Sequence, residues 1–158
     1  MGKGLMMKEV KQETKVREML IEDLPSVIVI ENESFKTPWK KRDFLHDLLK
    51  NTFSHYLVIE KDKEVVGYCG IWIVLESAQI TNIAISPKER GHQLGKKLFN
   101  EVLNHAREQG ATELTLEVRE SNVIAQNLYK HFGMKIVGKR EGYYQDNGED
   151  ALVMWVKL

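Results

Sequence analysis

Ile83-Ala84-Ile85-Ser86-Pro87-Lys88-Glu89-Arg90-Gly91-His92-Gln93-Leu94-Gly95-Lys96-Lys97 joins a run of strand character, ending at Ile85, to a run of helical character that opens at Leu94. Glycines let a backbone approach a ligand closely, and the first N–H groups of a helix have no internal partner, so they point at whatever anion lies in front of them. Cations in a first helical turn oppose the macrodipole, at a cost of roughly 0.3 to 1 kcal/mol each at exposed sites. Lys88, Arg90, Lys96 and Lys97 crowd there nonetheless. A ligand carrying several phosphate charges removes the conflict, so the stretch reads as an anion cradle that organises the chain.

Working outward, Leu94, Leu98, Phe99, Val102, Leu103 and Ala106 recur at helical spacing and Gly110 supplies a stop, which predicts a core-facing helix. Glu113 to Val118 then alternates, with Leu114, Leu116 and Val118 on one face and Glu113, Thr115 and Glu117 on the other. A strand, helix, strand unit results, which implies parallel strands with a ligand outside their carboxyl ends, where the Arg90 to Gly95 loop falls. Upstream, Lys15 to Met19 reads as a first strand, and Glu22 to about Ser34 as a helix with Pro25 in its first turn. Thr37-Pro38-Trp39 interrupts it, and Lys41 to Lys50 resumes helical spacing. Ser54 to Glu60, Glu64 to Leu75 and Ala78 to Ile85 read as strands with short connections, hence an antiparallel meander. Downstream, Asn122 to His131 reads as a helix, and Met134 to Tyr144 with Ala151 to Lys157 as a closing hairpin around Gln145-Asp146-Asn147-Gly148.

At 158 residues the chain suits one domain, residues 13–158, behind a polar, Lys-rich tail over residues 1–12 that is expected to be flexible. Lysine plus arginine, 23, balances aspartate plus glutamate, 23, so no global field draws in nucleic acid or an anionic membrane. A polyanion must be met locally. Cys69 is the only cysteine, which excludes an internal disulfide and fits a reducing, cytoplasmic setting. No apolar run approaches the roughly 18 residues that a membrane span needs. His46, His55, His92, His105 and His131 show no paired ligand spacing, so no metal is expected.

Two phosphate-binding motifs fail on spacing. The phosphate loop of nucleotide hydrolases needs four residues between its glycines and a hydroxyl residue after its lysine, whereas Gly91 and Gly95 enclose three and Lys97 follows Lys96. The dinucleotide fingerprint fails at Gln93. The run from Ile83 to Gly95 instead resembles the acetyl-coenzyme A signature of the GNAT acyltransferases: Arg or Gln, two residues, Gly, one residue, Gly or Ala. Arg90 and Gly95 match it. Gln93 stands in place of the central glycine and would narrow the approach to the pyrophosphate. Phe35-Lys36-Thr37-Pro38-Trp39, Leu116 to Asn122, and Gly142-Tyr143-Tyr144 followed by Gly148-Glu149-Asp150-Ala151 are similar to the RimI-type enzymes of that superfamily, which acetylate the N-terminal alanine of a small-subunit ribosomal protein.

The resemblance implies an α/β fold: a mixed, mostly antiparallel seven-stranded sheet with splayed parallel central strands and about four flanking helices. It implies acetyl-coenzyme A as cosubstrate, a ribosomal-protein N-terminal peptide as partner, direct transfer with a general base and a general acid, and a monomer or weak dimer. Position by position, it implies that Glu117 is the base and Tyr129 the acid. Ile83, Ala84, Ile85, Arg90, Gly91, His92, Gln93, Leu94, Gly95, Lys96 and Asn122 would hold coenzyme A, and Trp39, Tyr143 and Tyr144 would border the acceptor. On residue type alone Glu117 is a solvated strand-face carboxylate, Tyr129 a core tyrosine and Asn122 a helix N-cap.

The chemistry needs such groups. An amine attacks a thioester only when neutral, and a terminal amine of pKa about 7.8 is mostly protonated at pH 7. A glutamate of pKa about 4.3 is a weak base for that proton in water, so Glu117 would act through desolvation, a raised pKa or a bridging water. Two alternatives stay open at this stage: acetylation of a small amine or another protein terminus, and a coenzyme A-binding module without turnover.

Overall fold

Alternation and helical stripes become seven strands and four helices in the computed structural model, which describes residues 13–91 and 93–158. Residues 1–12, expected as a flexible tail, and His92, expected to touch coenzyme A, lie outside the described residues. The elements run β1 (Thr14–Glu18), α1 (Leu24–Ser34), α2 (Lys41–Lys50), β2 (Ser54–Lys61), β3 (Glu64–Val74), β4 (Ser77–Ile85), α3 (Leu94–Glu108), β5 (Glu113–Arg119), α4 (Val123–His131), β6 (Lys135–Arg140) and β7 (Ala151–Lys157). A 3-10 turn, Ile21–Asp23, leads into α1, where Pro25 occupies the first turn and forfeits no helical hydrogen bond.

One sheet carries all seven strands in the order β1-β2-β3-β4-β5-β7-β6, antiparallel throughout except where β4 meets β5. The expected mixed, mostly antiparallel sheet is what forms. Strand alternation sends Leu57, Ile59, Cys69, Ile71, Leu114, Leu116 and Val118 to one face, where they pack with the apolar stripe of α3. Tyr56, Val58, Tyr68 and Ala84 go to the other, under Leu24, Val27 and Ile30 of α1 and Phe44 of α2. Burying each such aliphatic side chain contributes about 1.5 to 3 kcal/mol, so the two layers hold the sheet from both sides. Among the described residues no helix is long and apolar enough to cross a membrane.

The closing hairpin is shorter than expected. β6 stops at Arg140, and Tyr143 and Tyr144 belong to the loop. All six residues of β6 are exposed at the sheet edge, its register shifts between Ile136 and Gly138, and Gly142 takes a positive φ of 60° that leads the chain off the strand.

A histidine pair joins β2 to the last turn of α3: His105 Nε2 lies 3.1 Å from His55 Nδ1, a spacing that shares one proton. Burial, followed by the charge of His105, pushes His55 below its usual range, and Glu18 opposes them. A histidine depressed in the folded state binds its proton more readily when unfolded. The stability this pair supplies is therefore complete above about pH 6.5 and is lost as pH falls through the lower folded value. The thermal midpoint is expected to fall between about pH 7 and pH 5, and to fall less in His105→Gln, which keeps a hydrogen-bonding side chain without the second charge. Thermal melts across that range check it; equal slopes would remove the pair from the account.

Candidate active site

β4 and β5 stay together for only three residue pairs, Ser77 with Glu113, Ala78 with Leu114 and Gln79 with Thr115. A bulge then bends β4 away: Ile71 opposes Ile80 and Gly70 opposes Asn82, which leaves Thr81 as the extra residue. Gly70 makes this possible, because a Cβ there would stand 2.6 Å from Asn82 Oδ1 and 2.7 Å from Thr81 Oγ1. The opening between the strands is a cleft of about 680 Å³.

Beyond the bulge, the side of β4 that faces the cleft has no strand partner among the described residues. Ser86 N donates to Val66 O, so by alternation Ala84 directs its backbone groups at β3 while Ile83 and Ile85 direct theirs into the gap. Ala84 is itself buried in the α1 and α2 layer. Arg90 Nε takes up the Ile85 carbonyl, and the Ile83 N–H and C=O and the Ile85 N–H are left as groups that an extended, amide-bearing ligand can pair with, as an added strand would.

β5 supplies the opposite wall with two chemistries. Leu116 and Val118 face the core, and Glu117 and Arg119 face the α1 and α2 side. The Glu117 carboxylate lines the cleft, and its Oε1 lies 3.3 Å from Arg140 Nε on β6. Tyr129 enters from the other face of the sheet, on the buried stripe of α4 with its ring 5.2 Å from that of Phe99. Among the described residues its hydroxyl has no hydrogen-bond partner, and burial pushes its ionisation up, so it keeps its proton. Asn122 lines the same cleft and caps α4, its Oδ1 accepting from Ala125 N at 3.1 Å, as the N-cap reading expected.

Two loops bank the mouth. On one side, Glu31 of α1, only 3% exposed, accepts from Trp39 N at 2.9 Å and from the Tyr68 hydroxyl. That carboxylate fastens the segment with Lys36, Thr37 and Trp39 to the core, and Trp39 leans on Phe44 with ring centroids 5.3 Å apart. On the other side lies the loop between β6 and β7, with Tyr143, Tyr144 and Asp146 lining the cleft. Tyr144 is pushed up to about 12, by burial first, against the lowering influence of Arg119.

The stretch expected to cradle an anion forms the start of α3. Gln93 is the N-cap residue in the left-handed region, φ 64°, and the N–H groups of Leu94, Gly95 and Lys96 open the helix. Among the described residues a Cβ on Gly95 would meet only Leu128 Cδ2, at an ordinary 3.5 Å. The four crowded cations part company, however. Lys97 reaches back to β1, donating to Thr14 O at 2.7 Å and to its hydroxyl, and Arg90 folds over Ile85 O at 3.2 Å and Ser34 Oγ at 3.3 Å. Lys88 sits in the short 3-10 turn Pro87–Glu89 and Lys96 in the first turn of α3.

The cleft thus gathers Ile83, Glu117, Asn122, Tyr129, Trp39, Tyr143 and Tyr144, while Arg90, Gly91, Gln93, Leu94, Gly95 and Lys96 form a separate loop beyond the end of β4. Sequence reasoning passed over Glu31 and Arg119. Glu31 carried a signal, a charge four residues past Val27 and seven past Leu24 on the buried stripe of α1. Arg119 shares its strand face with Glu117 and faces a loop holding Asp146 and Glu149.

Comparison with known proteins bears on the family and the fold. Residues 15–134 match the family described as acetyltransferase (GNAT). A Bacillus subtilis (strain 168) protein, provisionally named a [ribosomal protein bS18]-alanine N-acetyltransferase, is 55% identical over 148 residues, covering 94% of this chain and 98% of its own. The [ribosomal protein bS18]-alanine N-acetyltransferase of Escherichia coli (strain K12) is 30% identical over 136 residues, 84% of this chain and 89% of its own. The crystal structure of the Escherichia coli ribosomal-protein-S18-alanine N-acetyltransferase superposes with a TM-score of 0.85 at 26% identity, covering 92% of this chain and 94% of that one.

Proposed function

Because the chain belongs to the acetyltransferase (GNAT) family and is an acetyltransferase, we propose that it moves acetyl from acetyl-coenzyme A to the α-amine of an N-terminal alanine on a ribosomal protein in the cytoplasm. The observation that carries this reading is the meeting of Glu117, Tyr129 and the unpaired backbone of β4 in one cleft whose mouth is banked by Trp39, Tyr143 and Tyr144. The relatives named for the same acceptor support it along nearly the whole chain.

Coenzyme A supplies an activated acyl group and a thiolate leaving group. Glu117 takes the proton that the incoming ammonium must lose, directly or through one water. The N–H groups of Ile83 and Ile85 hold the pantetheine arm and polarise the thioester carbonyl as negative charge develops there. Tyr129 donates a hydrogen bond to the departing sulfur. As the C–S bond breaks, Tyr129 acts as the general acid, passing its proton to the sulfur, and solvent returns a proton to the phenolate. The amides of Leu94, Gly95 and Lys96, with the Lys96 ammonium, hold the pyrophosphate. Every assigned residue comes from one chain, so the reading requires no partner subunit.

This scheme selects against lysine side chains. Their pKa of about 10.4 leaves roughly 400-fold less neutral amine at pH 7 than a terminal amine has. Incubation with acetyl-coenzyme A and a peptide that begins with alanine and contains an internal lysine, followed by fragment-ion mass spectrometry, is expected to place the acetyl group on the terminus. Acetate on lysine alone would overturn the assignment.

A further inference from the structure

We propose that Arg119 is the positioning residue of the acceptor site: it clamps the β6–β7 loop over the cleft and thereby sets where Tyr143 and Tyr144 meet the acceptor. The proposal rests on the acetyl-transfer reading above and adds a residue to it. Strand parity makes the placement unavoidable, because Arg119 lies two residues beyond Glu117 on the same face of β5, so whatever it holds is held over the catalytic wall.

Its guanidinium uses several donors at once. Nη2 lies 2.8 Å from Asp146 Oδ2, and Nη1 lies 3.3 Å from both Glu149 Oε1 and Asn147 Oδ1. The same plane stacks on the aromatic residue that lines the cleft, with Cζ 3.9 Å from the Tyr144 ring centroid. Glu149 continues inward to Ser121 N at 2.6 Å, and Glu120 N donates to Asp150 O at 3.2 Å. Isolated surface ion pairs contribute little, but a planar fork shared among three loop residues and a ring fixes geometry that a lysine could not. Lys36, on the opposite bank of the cleft, adds its attraction on Asp146. Among the described residues none of these groups hydrogen-bonds to the start of α3, so the clamp bears on the acceptor side of the cleft.

The experiment compares wild type with Arg119→Ala, Arg119→Lys and, from the loop side, Glu149→Gln. It reads acceptor KM, kcat, acetyl-coenzyme A Kd by calorimetry, and amide hydrogen exchange over residues 141–150. Arg119→Ala is expected to raise acceptor KM about tenfold or more with a smaller change in kcat. Acetyl-coenzyme A Kd should stay within about twofold, and loop amides should exchange faster while those of β5 and β7 do not. Arg119→Lys should fall between the two, and Glu149→Gln should move the same quantities in the same direction. Wild-type exchange in the loop, unchanged acceptor KM, or a parallel loss of coenzyme A affinity would each overturn the proposal. If the wild type acetylates no amine terminus, the function reading fails by itself, and the exchange measurement, which needs no acceptor, still decides the clamp.

Discussion

Glu117→Gln is expected to lower kcat for α-amine acetylation by roughly 10²- to 10⁴-fold, the usual contribution of a positioned general base, with acetyl-coenzyme A affinity unchanged within about twofold. Glutamine keeps the size of the side chain and still offers an oxygen to Arg140 Nε, so the wall of the cleft should survive while the proton acceptor disappears. The fold has no stake in the change, because Glu117 faces the cleft and its neighbours Leu116 and Val118 carry the core contacts of β5. A loss confined to kcat is the signature of an interaction made in the transition state alone. Raising the pH should restore part of the rate, since more acceptor amine is then neutral before it binds and the base is needed less. Steady-state kinetics between about pH 7 and pH 9 check both effects. A variant within threefold of wild type, or one that loses coenzyme A affinity in step with rate, would remove Glu117 from the chemistry.

Local pattern made much of the fold legible. The stripe from Leu94 to Ala106 became α3, the alternation from Glu113 to Val118 became β5, and Lys61-Asp62-Lys63 became a tight turn in which Asp62 and Lys63 take positive φ. What stayed hidden depends on partners far away in the chain. The bulge at Thr81, which opens the cleft, is a matter of register between β3 and β4 and of the space above Gly70, and neither is written in a window of ten residues. The end of β6 lies earlier than expected because Tyr143 and Tyr144 have strand propensity, while Gly142, with its positive φ, leads the chain off the strand before them. Lys97 counted among the cradle cations by position in the sequence, yet its ammonium satisfies Thr14 at the sheet edge. Glu117 on β5 and Tyr129 on α4 were singled out by the family resemblance alone, since by residue type they read as a solvated carboxylate and a core tyrosine. The carboxylate of Glu31, which fastens Trp39, could be read only as a charge out of place on an apolar stripe.

Gly95→Ala is expected to separate binding from stability, and with opposite signs. In the folded chain a methyl group at position 95 meets nothing closer than Leu128 Cδ2 at 3.5 Å, so the protein itself does not require glycine there. Alanine in the first turn of α3 should hold or raise the thermal midpoint, since glycine is up to about 1 kcal/mol less favourable in a helix. The requirement belongs to the ligand. An anion that pairs with the N–H groups of Leu94, Gly95 and Lys96 must come to hydrogen-bond distance of the backbone, and Gln93 already places one side chain beside that approach. A methyl group that forces the pyrophosphate off one charge-assisted hydrogen bond, at about 1.5 to 3 kcal/mol, should weaken acetyl-coenzyme A binding by roughly 10- to 150-fold. Calorimetric titration and a melt of the same variant test both signs together. Affinity equal to wild type would place the diphosphate somewhere other than the start of α3, and a large fall in melting temperature would return Gly95 to a structural role.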